Sequence, residues 1–255
     1  MSIRSFLYVV LFLCLILGTK NALYAQVNWL SSFEEAQQKA FAEDKLILID
    51  FWAIWCAPCR AMDRQLWNLP ELRAISQNFV PLKIDINKNN KLKDYYKITS
   101  IPSFVIVDAL GNFIWKERGF SDPGYYLHVL SELPFKAKTL NKGLLQYQKD
   151  KSSNDVQLQL GIGYQELAVQ TRLPKMKQTL LKISDIYLSK VRKSGDIVLS
   201  AMAELYQYTN LIYAGKSKSA LKKLQNRQDW PQNRSVQQLR QAVQELAQKA
   251  SMPRG

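Results

Sequence analysis

A chain of 255 residues with an apolar fraction of 47% has enough material for one large or two small buried cores, which excludes a disordered protein as the starting expectation. The formal charge of +14 is uneven: residues 26–135 carry 12 Lys/Arg against 13 Asp/Glu, whereas residues 136–255 carry 21 against 8. Those basic residues are spread over several segments rather than gathered in one stripe, so a solvated helical face is expected and nucleic acid is not; an acidic client protein or an anionic surface is the partner that the charge admits.

The first 25 residues read as a secretory signal. Arg4 precedes an apolar run from Phe6 to Leu17, and a short polar stretch ends in Ala22-Leu23-Tyr24-Ala25, with cleavage expected after Ala25. The run is short for a membrane span, although an uncleaved segment would act as an anchor. Cys14 follows Leu13, not the small residue that a lipid-attachment site needs. The expected location is therefore extracytoplasmic, in a periplasm or its equivalent.

Ser32-Phe33-Glu34-Glu35 has capping-box spacing and starts a helix that should reach about Ala42. Leu46 to Ala53 is an apolar run broken only by Asp50, the pattern of a central strand covered on both faces. A helix should begin at Pro58 or Cys59 and be disturbed near Pro70. Strands follow at Phe79 to Ile86, Ser103 to Val107 and Phe113 to Arg118, the last two turning at Gly111-Asn112, and a helix from Gly124 to Leu133 closes the unit. The predicted order is β-α-β, a helical connection, then β-β-α. Composition shifts near Pro134 to Lys138, and beyond it apolar residues recur three or four apart, with helix starts near Asn154, Pro174, Asp196, Ser217 and Ser235. The division expected is thus a signal at 1–25, an α/β domain at 26–135 and an all-α module of helical hairpins at 136–255.

Once the signal is set aside, two cysteines remain, Cys56 and Cys59. An exported protein stapled by disulfides would carry more, so a lone Cys-x-x-Cys points to redox work. A structural metal site would need third and fourth ligands, and the single histidine, His128, lies far along the chain. No metal and no cofactor is expected. A thiol at the start of a helix feels unpaired backbone N–H groups and the positive end of the helix dipole, which makes Cys56 the expected nucleophile and Cys59 the resolving thiol.

The stretch Ile49-Asp50-Phe51-Trp52-Ala53-Ile54-Trp55-Cys56-Ala57-Pro58-Cys59-Arg60 resembles the active-site strand and turn of the thioredoxin superfamily. The likeness continues through Phe79 to Asp85, Ile101-Pro102-Ser103 and Gly119. Met62-Asp63 and the insertion from Leu66 to Leu72 resemble the electron-acceptor domains of periplasmic disulfide-interchange proteins. The resemblance implies a thioredoxin-like fold, a central mixed sheet flanked by helices, over about residues 28–135. It implies a redox disulfide between Cys56 and Cys59, and a proton-transferring carboxylate at Asp50. A substrate surface is implied at Trp55, Ala57, Pro58, Ile101, Pro102 and Gly119, with Pro102 after a cis peptide bond. The lysine that the family often pairs with the buried aspartate falls, on this likeness, at Pro81. A small residue and proline between the cysteines resembles reducing members, whereas strongly oxidising members place histidine there. The expectation is a protein-disulfide reductase fed by a membrane thiol donor. The alternatives are an oxidase or isomerase, and a binding protein whose helical module does the work.

Overall fold

The computed structural model describes residues 27–252, so the expected signal and Cys14 lie outside the described residues. Helix α1 (Phe33–Glu43) starts where the capping box places it, Ser32 Oγ accepting the Glu35 N–H. Strand β1 (Leu46–Trp52) follows. Helix α2 (Ala57–Met62) continues through a π turn (Asp63–Trp67), the helix is interrupted at residues 68–69, and α3 (Pro70–Ser76) begins with proline in its first turn, where no helical N–H is lost. Then come β2 (Phe79–Asp85), α4 (Asn90–Tyr95), β3 (Ser103–Val107), β4 (Phe113–Arg118) and α5 (Pro123–Ser131).

The four strands lie in the order β2-β1-β3-β4, with β1 parallel to β2 and antiparallel to β3, and β3 antiparallel to β4. Leu46, Ile47, Leu48, Ile49 and Phe51 of β1 are all buried, as a strand covered on both faces requires. Each such side chain stabilises the fold by roughly 1.5–3 kcal/mol relative to exposure. Proline sits inside β2 without breaking the ladder. The Lys83 N–H points away from β1 and donates to the Leu30 carbonyl, so Pro81, two residues earlier, turns its missing donor to that same edge.

Six helices complete the described chain: α6 (Lys138–Lys149), α7 (Asn154–Gln170), α8 (Pro174–Arg192), α9 (Ile197–Tyr213), α10 (Ser217–Asn226) and α11 (Arg234–Ser251). Helix α6 is not among the helices that the periodicity predicts. Its buried face is Leu140, Asn141, Gly143 and Leu144, so polar and small residues interrupt the apolar stripe. It packs closely on α7. A Cβ added to Gly163 would lie 2.6 Å from the Leu140 Cα, so only glycine permits that approach.

The first three of these helices, α6 to α8, share one core with the sheet domain, whereas α9 to α11 gather around a core of their own. Leu140, Leu144, Leu160, Tyr164 and Met176 share a buried cluster with the strands. Polar bonds tie the junction: Asn141 Nδ2 donates to the Ala40 carbonyl at 2.9 Å, which also accepts the Lys45 N–H, and the Ala137 N–H donates to the Asp44 carbonyl at 2.9 Å, so the start of α6 is bonded to the end of α1. At the β3–β4 turn, buried Asp108 accepts from the backbone of Leu110 and Asn112, from Asn112 Nδ2 and from the Tyr164 hydroxyl of α7. Replacing Tyr164 with Phe removes one donor from a buried carboxylate and should lower the unfolding free energy by about 1–3 kcal/mol in urea titration. A change indistinguishable from zero would show that this bond does not hold the two parts together. These attachments touch the start of β1 and the end of β3, the pole of the sheet opposite Trp52 and Ser103.

Candidate active site

The strand β1 ends at Trp52, and the turn that follows delivers the cysteines. The Cys56 N–H donates to the Ala53 carbonyl at 3.1 Å, Arg60 Nη1 donates to the Ile54 carbonyl, and Cys56 becomes the N-cap of α2. The two sulfurs are joined in a disulfide, with the Cα atoms 5.3 Å apart. The Cys59 N–H donates to Cys56 Sγ at 3.1 Å. A donor already aimed at that sulfur stabilises a thiolate there once the disulfide is opened.

The pair is recessed in an exposed rim. Cys56 and Cys59 each keep 3% of their surface, whereas Ile54 is 72% and Trp55 62% exposed, and Ala57 and Pro58 are also open to solvent. Ile54 and Trp55 thus form an exposed apolar rim beside the disulfide. Ile101 packs against the cysteine cluster together with Ala53, Trp52 and Ile86. The Ile101–Pro102 bond is cis. The Pro102 carbonyl accepts the Gly119 N–H at 2.8 Å, tying the start of β3 to the end of β4. Gly119 has φ +77°, and an added Cβ would meet nothing within 4 Å, so backbone conformation and not crowding calls for glycine.

Beneath this surface lies a charged cluster that places one residue differently from the sequence-based expectation. The cation beside Asp50 is Lys83, not a residue at position 81. Parallel pairing sets Asp50 opposite Lys83 and Leu48 opposite Pro81, a shift of two residues that keeps the same face of the strand. Lys83 Nζ lies 3.7 Å from Asp50 Oδ2 and bonds Asp63 Oδ1. Its ammonium sits over the rings of Trp52 at 5.1 Å and Trp29 at 5.5 Å, and Trp29 meets Trp67 edge-on at 5.0 Å. Asp63 stands four residues after Cys59 on the same helix, so the two share one helical face.

Asp50 is 2% exposed, and its Oδ1 has no hydrogen-bond partner. Burial is the main cause that pushes its carboxyl up to about 7. Lys83 pulls it down, the negative charge of Asp63 raises it, and the Trp67 indole lowers it slightly without closing a hydrogen bond. The carboxyl is thus poised to exchange a proton near neutrality. No hydrogen bond joins Asp50 to Cys59 among the described residues; the connection runs through Lys83 and Asp63 to the helix that bears Cys59.

A family model described as thioredoxin-like matches residues 28–109. Thioredoxin-1 of Drosophila yakuba is 39% identical over 83 residues, which is 32% of this chain and 74% of that protein. The chain belongs to the thioredoxin-like family. Thioredoxin-1 of Drosophila melanogaster is 44% identical over 66 residues, 26% of this chain, and the match spans only 60% of that protein's length. The thiol:disulfide interchange protein DsbD of Colwellia psychrerythraea is 28% identical over 106 residues, 40% of this chain and 17% of that protein. The mixed four-stranded sheet with its flanking helices is the thioredoxin fold, and a Cys-x-x-Cys pair at the end of its first strand fits thiol–disulfide redox function.

Within this thioredoxin-like domain the structure gathers Cys56, Cys59 and Ile101 in one cluster and links Pro102 to Gly119. It sets Asp50 one layer below. Sequence reasoning misses Lys83, and sees Asp63 only as part of a resemblance. A signal for Lys83 is present: it is the one cation in the run from Phe79 to Ile84, and two in-phase strands can bring it opposite the one acid of β1.

Proposed function

We propose that this protein is an exported thiol–disulfide oxidoreductase that reduces protein disulfides and is itself re-reduced by a membrane thiol protein. The observation that carries the reading is the Cys56–Cys59 pair, capped on α2 with the Cys59 N–H on Cys56 Sγ and bordered by exposed Trp55, Ala57 and Pro58. In the dithiol form, Cys56 thiolate attacks a substrate disulfide. A Cys56–substrate bond forms, and one substrate thiolate leaves. Cys59 then gives up its proton, with Asp50 as the acceptor, and attacks Cys56 Sγ. The mixed disulfide breaks, the second substrate thiolate leaves, and two electrons have passed to the substrate as the Cys56–Cys59 disulfide closes.

The Ala57-Pro58 pair between the cysteines favours reduction over oxidation. The segment shared with a disulfide-interchange protein supports a membrane donor of that kind. Export rests on the pattern of residues 1–25 and predicts a mature N-terminus at Gln26, readable by mass spectrometry.

The reading is tested by turnover and potential together. The protein should accelerate dithiol-driven reduction of insulin well above the uncatalysed background. Its reduction potential should lie nearer the roughly −270 mV of thioredoxins than the roughly −120 mV of strong oxidants. No acceleration would remove the reductase reading, and a potential at the oxidising end would replace it with an oxidase or isomerase.

A further inference from the structure

The helical segment carries a groove that the redox chemistry does not use. It opens between one face of α8 and the C-terminal end of α9, with a volume of about 520 Å³. Pro174, Lys177, Leu181 and Asp185 fall three or four residues apart and so form a single stripe of α8 along one wall. Leu211 and Tyr213 of α9 supply apolar surface opposite Leu181. Lys175, Lys177, Lys182 and Lys216 border it. None of these four is in an ion pair with a carboxylate among the described residues.

The one acid in the groove, Asp185, leaves the four lysines in excess. Asp185 accepts a hydrogen bond from Asn210 Nδ2 at 2.7 Å, and that amide also donates to Ser184 Oγ, so the carboxylate is turned into a polar network between α8 and α9. Four lysines against one acid, around a recessed apolar floor, are complementary to a segment with carboxylates on its edges and aliphatic side chains along its middle. A bilayer is a poorer fit, because insertion needs apolar side chains that project, whereas here they lie below the lysines. The basic surface of α11 is a useful contrast: Arg234 and Arg240 border a shallow patch lined by Gln237, Gln238, Gln241 and Gln244, with no apolar floor.

We propose that this groove docks an acidic, amphipathic segment of a protein partner, so that the helices hold the client while the cysteine pair acts. The assignment rests on the reductase reading only for what docking serves, since binding is measured without turnover.

The test uses the full chain with a dye-labelled peptide of leucine and glutamate in helical alternation, its glutamine-for-glutamate twin, and vesicles containing phosphatidylserine. The acidic peptide should bind in a salt-sensitive manner and the glutamine twin should not. The variant Lys177→Glu/Lys182→Glu/Lys216→Glu should bind at least about tenfold more weakly. Lys222→Glu/Arg234→Glu/Lys249→Glu, which makes the same charge change at exposed sites outside the groove, should bind within about twofold of the parent. Equal weakening in both variants would reduce the effect to net charge and overturn the groove, as would binding of the vesicles but not the peptide, or no peptide binding by the parent. Insulin reduction by both variants reports separately on the redox reading and on folding.

Discussion

Cys56→Ser should leave insulin reduction at the uncatalysed rate and capture no client, whereas Cys59→Ser should capture clients as stable mixed disulfides. The asymmetry follows from position. Cys56 is the cap of α2, its sulfur already accepts the Cys59 N–H, and the exposed Trp55 and Ile54 adjoin it. Cys59 lies within the first turn of α2, and since both sulfurs are equally recessed at 3% exposure the difference between them rests on the cap position and the N–H donor of Cys56. Attack on an external disulfide therefore falls to residue 56, and release of the product to residue 59. Non-reducing electrophoresis after acid quenching reads both outcomes. Capture by Cys56→Ser and none by Cys59→Ser would reverse the roles and remove the argument from helix capping.

Asp50→Asn should make the protein more stable above neutrality and slower in turnover. Burial raises the native carboxyl to about 7 from the ordinary 3.8, so between those values the native state holds more proton than the unfolded chain. Stability contributed by this site consequently falls as pH rises from about 4 to about 7, and the full penalty is present above 7. At about 1.4 kcal/mol per tenfold, that penalty is ~4 kcal/mol. The asparagine variant carries no such ionisation. Its gain should be near zero at pH 4, grow through the acid range and level off above 7, as followed by urea midpoints. Activity should move the other way, with the resolving step losing about 100-fold and the pH inflection near 7 disappearing. A gain that does not change with pH would mean that the carboxyl is not the source of the penalty.

Much of the site was legible in the chain because its signals are local. Cys56 and Cys59 are separated by one helical turn, Ser32 and Glu35 by three residues, and the β1 run is contiguous, so spacing alone exposes them. Helix α6 was not legible: Asn141 and Gly143 occupy its buried face for reasons found elsewhere, Asn141 bonding α1 and Gly143 lying 3.1 Å, at the Cβ position, from a Leu160 methyl. The family likeness puts proline where the lysine beside Asp50 is expected, and the cation that the fold supplies stands two residues further on, for a related reason. Strand faces repeat every second residue, so Pro81 and Lys83 are equivalent to a pattern and distinct only to a register.

By itself the chain dictated a redox-active cysteine pair at the end of a buried strand and a basic, helical second half, since these depend on neighbours a few residues apart. Only the tertiary structure decided what surrounds Asp50 and how the helices attach. Lys83 reaches Asp50 across a strand pairing, and Tyr164 reaches Asp108 across 56 residues, so both contacts exist only when distant segments are packed and water is excluded. Burial is also what lifts the carboxyl of Asp50 to about 7, a property that belongs to the folded environment and not to the residue.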